Sequence, residues 1–248
     1  MVKNNFKKTQ DYHYNELKRG PIKVYSQELA KWKLNEKQRK LIKLIDEKTI
    51  TIVTGPAGSS KTFIDCFYAI KEFMNHRYKK IIFSKPIEES GEKLGFLPGD
   101  VEDKINPFFE SFTTNLIKLV GNNKSLIEKL FEKGIFEYRP LAYMRGASFD
   151  DTLMILDEAQ NTDLRQQMLF VTRMGKNSKI IISGDTRQYD IRKDVMGLLY
   201  FRNMIEDIQD VGTFEFEEED IMRHPILIEI TKRYELSKLK NDIPKNKK

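Results

Sequence analysis

The stretch Gly55-Pro56-Ala57-Gly58-Ser59-Ser60-Lys61-Thr62 carries the residue types that bind a polyphosphate. Backbone N–H groups in a glycine-bearing loop of this kind turn inward and cradle phosphate oxygens, and a helix that starts there adds partial positive charge. Lys61 is expected to contact the β- and γ-phosphates, and the Thr62 hydroxyl to hold Mg²⁺. The common pattern has glycine immediately before the lysine, and this chain has Ser60. Glycine serves such loops where the backbone comes close to phosphate or takes an unusual φ. Serine is the next smallest polar choice, so binding is expected to survive.

A second group of candidates follows the apolar run Leu153-Met154-Ile155-Leu156, which delivers the adjacent carboxylates Asp157 and Glu158. A carboxylate bound to a metal is a poor base, so two roles need two acids. Asp157 is assigned to Mg²⁺ and Glu158 to polarising the attacking water. The same pair also suits a helix N-terminus, where acids oppose the dipole. Ser183-Gly184-Asp185-Thr186-Arg187-Gln188 follows a further apolar run. The Gln188 amide is expected to touch the γ-phosphate or the lytic water. Asp185 reads equally well as a site residue or as turn chemistry.

The elements that must position these groups are legible in outline. Ile50–Thr54 is apolar and β-branched and leads into the loop; Phe63–Ile70 after it reads as a helix. Lys80–Ser84, Leu153–Leu156, Lys179–Ser183 and a run near Gly212–Phe216 read as further strands. Helices are expected over Asn35–Lys48, near 104–120 and 124–133, from about Asp163 to Met174, and from about Pro225 to Tyr234. Asn35 and Gln38 have the spacing of a capping box. Short strands, apolar on both faces and separated by helices, predict a mostly parallel α/β sheet with helices on both faces, of the P-loop NTPase class. Ligands in such sheets sit at the carboxyl ends of the strands, where Lys61, Asp157, Glu158, Asp185 and Gln188 all fall.

Composition sets looser bounds. The chain has 248 residues and a formal net charge of +6, which favours an anionic partner, nucleic acid above all, but equally serves solubility. One cysteine, Cys66, permits no internal disulfide and fits a reducing, cytoplasmic setting. No apolar run of about 18 residues is present, so no membrane span is expected. Residues 1–34 read as a polar lead-in with weak periodicity, 35–236 as a single ATPase domain, and 237–248 as a basic disordered tail.

The order of the motifs carries a resemblance. It runs through Gly55–Thr62, Lys85-Pro86, Glu92-Lys93-Leu94-Gly95-Phe96-Leu97-Pro98-Gly99-Asp100, Tyr143-Met144-Arg145-Gly146, Leu156-Asp157-Glu158-Ala159-Gln160-Asn161, Thr172-Arg173-Met174-Gly175, Gly184-Asp185 with Gln188, and Arg223-His224-Pro225. This order resembles the PhoH-like family of P-loop ATPases over residues 35–235. The family is similar to the first core domain of superfamily 1 helicases. The resemblance implies a RecA-like fold, ATP and Mg²⁺ as cofactors, a bacterial or phage origin, and links to phosphate starvation and to RNA or single-stranded nucleic acid. It implies adenine recognition by Gln38, which the capping box also explains. It assigns Arg223 to the γ-phosphate, in cis or from a neighbouring subunit, a place that also suits a solvated helix-start arginine. Arg145 and Arg173 become arginine-finger or RNA-contact candidates. One RecA-like core lacks the second domain of a translocating helicase, so assembly into a ring, such as a hexamer, is expected. A nucleotide-binding regulator or scaffold with little hydrolysis is the alternative, supported by Ser60 and opposed by Glu158. A nucleic-acid-binding module whose affinity ATP sets is a third reading, motivated by the basic tail and Lys3, Lys7, Lys8, Lys18 and Arg19.

Overall fold

A computed structural model of the chain describes residues 22–87, 106–185 and 197–222, with Ile226, Glu229, Ile230 and Arg233 beyond them. The strands are β1 (Ile50–Thr54), β2 (Lys80–Ser84), β3 (Phe136–Tyr138), β4 (Thr152–Leu156), β5 (Lys179–Gly184) and β6 (Val211–Glu215). They form one sheet in the order β3-β2-β4-β5-β1-β6, and every neighbouring pair is parallel. The described helices are α1 (Ile22–Ala30), α2 (Glu36–Glu47), α3 (Lys61–Met74), α4 (Glu110–Leu119), α5 (Lys124–Glu132), α6 (Leu164–Val171) and α7 (Gly197–Ile205); parallel neighbours need crossovers, and α3 to α7 lie in them, while α1 and α2 precede β1.

Side chains alternate across a strand, and the central strands are apolar on both sides. Val53, Ile81, Phe83, Leu153, Ile155 and Ile181 face a core shared with Leu41 and Ile45 of α2, Ile64 and Tyr68 of α3, Phe112 and Leu116 of α4, and Leu130 of α5. Ile52, Ile82, Met154, Leu156, Ile180 and Ile182 face a second core with Phe170 of α6 and Leu198 and Phe201 of α7. Helix α2 forms because Asn35 caps it, its side chain accepting from the Gln38 N–H while the Gln38 side chain accepts from the Asn35 N–H. Gln38, Leu41 and Ile45 are its buried stripe, at helical spacing.

Several elements differ from the sequence expectation. The stretch read as a weakly periodic lead-in holds α1, which puts Tyr25 and Leu29 into the first core. Strand β3 is three residues long, too short to show alternation. Helix α7 opens on Gly197, a poor helix former, because a Cβ there would lie 2.1 Å from the Thr162 carbonyl oxygen. The helix expected to reach Met174 ends at Val171, and the one expected near 104–120 divides into a 3₁₀ turn, Asn106–Phe109, and α4. Ile226, Glu229, Ile230 and Arg233 are helical, within the expected last helix.

Candidate nucleotide and metal site

The loop between β1 and α3 lies at the carboxyl edge of the sheet, with the ends of β4 and β5 beside it. Gly55 has φ 150°, and a Cβ there would sit 2.6 Å from Phe216 Cβ, so only glycine lets the loop leave β1 past the residue that follows β6. Gly58 has φ 86°. Ser60 caps α3 in the left-handed conformation, φ 70° and ψ 19°, with no side-chain capping bond. That dihedral is why glycine suits this position, and a serine holds it under strain. The Ser59 hydroxyl donates to the Pro56 carbonyl at 2.8 Å and braces the loop from inside.

Lys61 is buried, and its ammonium donates to the Gly55 carbonyl at 2.6 Å and the Pro56 carbonyl at 2.9 Å. The loop thus holds its own lysine against its first two carbonyls. Burial lowers the Lys61 ammonium below the usual lysine range, and Asp185, Asp157 and Glu158 act against that shift. Asp185, equivocal in the sequence, therefore belongs to the field around Lys61.

The Thr62 hydroxyl donates to Asp157 Oδ2 at 2.9 Å, across the gap between α3 and the end of β4. Asp157 is buried, and its Oδ1 accepts from the Glu158 N–H at 2.9 Å, which fixes the carboxylate plane. A hydroxyl and a carboxylate oxygen at this separation are hard donors of the kind Mg²⁺ takes, with phosphate oxygens and water completing its shell. No group of three or more His, Cys, Asp or Glu residues that could hold a metal occurs among the described residues.

Glu158 is exposed and left-handed, φ 55° and ψ 34°. The turn after it is tightly bound: Thr162 Oγ1 donates to the Ala159 carbonyl at 2.6 Å, and the buried Gln167 amide donates to the same carbonyl at 3.2 Å. Sequence reasoning missed Gln160, whose amide joins two strand ends. Its Nε2 donates to Glu158 Oε2 at 2.7 Å and its Oε1 accepts from the Asp185 N–H at 2.9 Å. Its place within Asp157-Glu158-Ala159-Gln160 was the available signal. Asp65, on α3, was also missed. It is fully buried beside this site, with the Ser183 hydroxyl next to its carboxyl. Burial raises its carboxyl well above the usual range, Asp157 adds to the rise, and Ser183 and Lys61 oppose it.

Gln38 makes the capping box with Asn35. Its Oε1 is engaged by the capping box, which orients the amide, and among the described residues its Nε2 meets the thioether of Met222, at 3.6 Å. Thioether sulfur is a weak acceptor, so the amide donor remains ready for a stronger one. Met222 also accepts from the Ser60 hydroxyl at 3.3 Å, and its N–H donates to the Gly58 carbonyl at 3.0 Å, so the chain after β6 lies against the loop. Arg173 does not reach this edge: its guanidinium donates to the Ala147 carbonyl at 3.1 Å, and its own carbonyl accepts from the Phe149 N–H, just before β4 begins. Arg145 is exposed beyond the turn Leu141–Met144. Gln188, Arg223 and the stretch Glu92–Asp100 lie outside the described residues. No described helix is long and apolar enough to cross a membrane.

Comparison with known proteins bears on the fold and the family. A large terminase from a thermophilic bacteriophage is similar in fold, with a TM-score of 0.52 over 82% of this chain and 50% of that one, at 11% identity. A PhoH-like protein of Bacillus subtilis (strain 168) is 39% identical over 199 residues, covering 80% of this chain and 62% of the relative. Protein PhoH of Escherichia coli (strain K12) is 36% identical over 190 residues, covering 76% and 54%. The chain thus spans roughly three-fifths or less of the length of these curated relatives. The model of the PhoH-like proteins matches residues 32–235, and with that extent of match the chain belongs to the PhoH-like family.

Proposed function

We propose that this chain is an Mg²⁺-dependent ATPase with one RecA-like core. The observation that carries the reading is the 2.9 Å bond from Thr62 Oγ1 to Asp157 Oδ2, because it joins the residue after the loop lysine to the strand-end acid where a metal edge is needed. The phosphates lie in the N–H groups of Gly55–Thr62, and Lys61 exchanges its two carbonyl partners for phosphate oxygens. Thr62 and Asp157 would hold Mg²⁺, which would supply charge neutralisation for the phosphates. Glu158 orients and polarises the attacking water, and Gln160 holds Glu158 in place. Gln38 offers its Nε2–H to the adenine edge. Gln188 is assigned to the γ-phosphate or water, and Arg223 to the charge that develops in the transition state, from the same or a neighbouring subunit.

The fuller reading adds a homo-oligomeric ring and coupling to RNA or single-stranded nucleic acid. The formal net charge of +6 supports the nucleic-acid part of it. Phosphate release from ATP with Mg²⁺, with and without single-stranded RNA, tests these points. Lys61→Ala is expected to lose nucleotide binding, and Glu158→Gln to keep binding and lose turnover by about a hundredfold or more. Tight binding without turnover in the wild type refutes hydrolysis and leaves the regulator or scaffold reading. RNA stimulation that ignores salt refutes a phosphate-backbone contact. A monomer with full turnover refutes the ring.

A further inference from the structure

Lys85 follows β2 and is buried, yet it has no part in the chemistry above. Its ammonium lies 3.5 Å from Asp157 Oδ2, the oxygen that also accepts from Thr62. On its other side it donates to Ser111 Oγ at 2.7 Å and sits 5.0 Å from the centre of the Phe112 ring. Ser111 and Phe112 belong to the first turn of α4. One ammonium therefore touches both the acid assigned to the metal and a helix that does not belong to the loop.

We propose that Lys85 is the resident cation of Asp157, which a divalent ion must displace or push back, and that this links metal–nucleotide occupancy to α4. The inference rests on the assignment of Asp157 to Mg²⁺. A buried carboxylate is costly without a counter-charge, and Lys85 supplies one to Asp157 before the metal arrives. A divalent ion at the same oxygen supplies that counter-charge and repels the ammonium over a few ångströms through a medium of low dielectric. The ammonium then relies on Ser111 and the Phe112 ring face, and the first turn of α4 feels the change.

The two contacts make opposite demands, which separates this role from plain structural support. Lys85→Met removes the competitor. It is expected to lower the melting temperature of the nucleotide-free protein and to reduce the Mg²⁺ concentration needed for binding a non-hydrolysable ATP analogue by roughly tenfold. Ser111→Ala removes the competitor's other partner, so the ammonium leans harder on Asp157. It is expected to raise that Mg²⁺ requirement by roughly threefold. Hydrogen exchange in Glu110–Leu119 should change when Mg²⁺ and the analogue bind to the wild type, and not to Lys85→Met. Movement of both variants in the same direction, or an unchanged Mg²⁺ requirement in Lys85→Met, overturns the proposal. Should Lys85→Met fail to fold, a Ser111→Ala protein whose requirement does not rise overturns it alone. Analogue binding that needs no divalent ion in the wild type refutes the metal assignment itself, a result visible before either variant is made.

Discussion

Ser60→Gly is the substitution whose outcome the geometry states most sharply. Ser60 holds φ 70°, a conformation that costs a residue with a Cβ about 1–2 kcal/mol. Glycine removes that cost but gives the unfolded chain more freedom, worth about 0.5–1 kcal/mol in the other direction. The hydroxyl contact to the Met222 sulfur at 3.3 Å is also lost, and sulfur is a weak acceptor, so this adds a few tenths at most. The net expectation is a gain of about 0.5 kcal/mol, or about 1–2 °C in Tm for a chain of this size. Urea denaturation of the wild type, Ser60→Gly and Ser60→Ala separates the terms, because alanine loses the hydroxyl while keeping the strain. Ser60→Ala should fall at or slightly below the wild type. Equal stability of the glycine and alanine variants, or a less stable glycine variant, refutes the strain argument. Nucleotide affinity of Ser60→Gly should equal or exceed that of the wild type, since the phosphate-facing N–H groups are unchanged.

Four further outcomes follow from contacts already described. Gly55→Ala sets a Cβ 2.6 Å from Phe216 Cβ at an unfavourable φ, and should cost about 1–3 kcal/mol by denaturant titration, with loss of ATP binding. Asn35→Ala removes the cap of α2 and frees the Gln38 amide, so it should cost about 1 kcal/mol and weaken ATP relative to inorganic triphosphate; equal weakening of both ligands counts against a base contact by Gln38. Gln160→Leu should lower the rate of phosphate release roughly tenfold or more with little change in KM, because Glu158 loses its 2.7 Å partner. Asp65 is an acid whose folded pKa is raised, so the folded state holds its proton more tightly than the unfolded state. Its contribution is complete below the ordinary aspartate range and is lost as pH rises through the folded pKa. Asp65→Asn should therefore gain stability over the wild type as pH is raised across that window, and a difference that does not vary with pH refutes the assignment.

The parts of the site written as local patterns were legible in the sequence. The loop, the strand-end pair Asp157-Glu158 and the capping box of Asn35 and Gln38 each depend on neighbours within a few residues. The strands of the sheet centre were legible because they are apolar on both faces. Strand β3 was not, since Phe136-Glu137-Tyr138 belongs to the sheet only through its pairing with β2. The bonds of Lys85 to Asp157 and of Gln160 to Asp185 cross between elements, and no spacing rule reports them. Nor does periodicity distinguish Asp65 from an exposed helical acid: its burial comes from the packing of α3 beside the ends of β4 and β5.

The strand order also bears on how the protein is made. Strand β1, which launches the phosphate loop, is translated early, but both of its neighbours, β5 and β6, are translated late; Thr54 and Phe214, whose carbonyl accepts from the Thr54 hydroxyl, are 160 residues apart. At ordinary elongation speeds of about 5–20 residues per second, β1 waits on the order of ten to thirty seconds for its flanks. During that interval an apolar, unpaired strand and a half-formed cradle are exposed at the ribosome. A nascent chain stopped before β5 should therefore be protease-sensitive around Gly55–Thr62, and protection should appear only after Glu215 has left the exit tunnel.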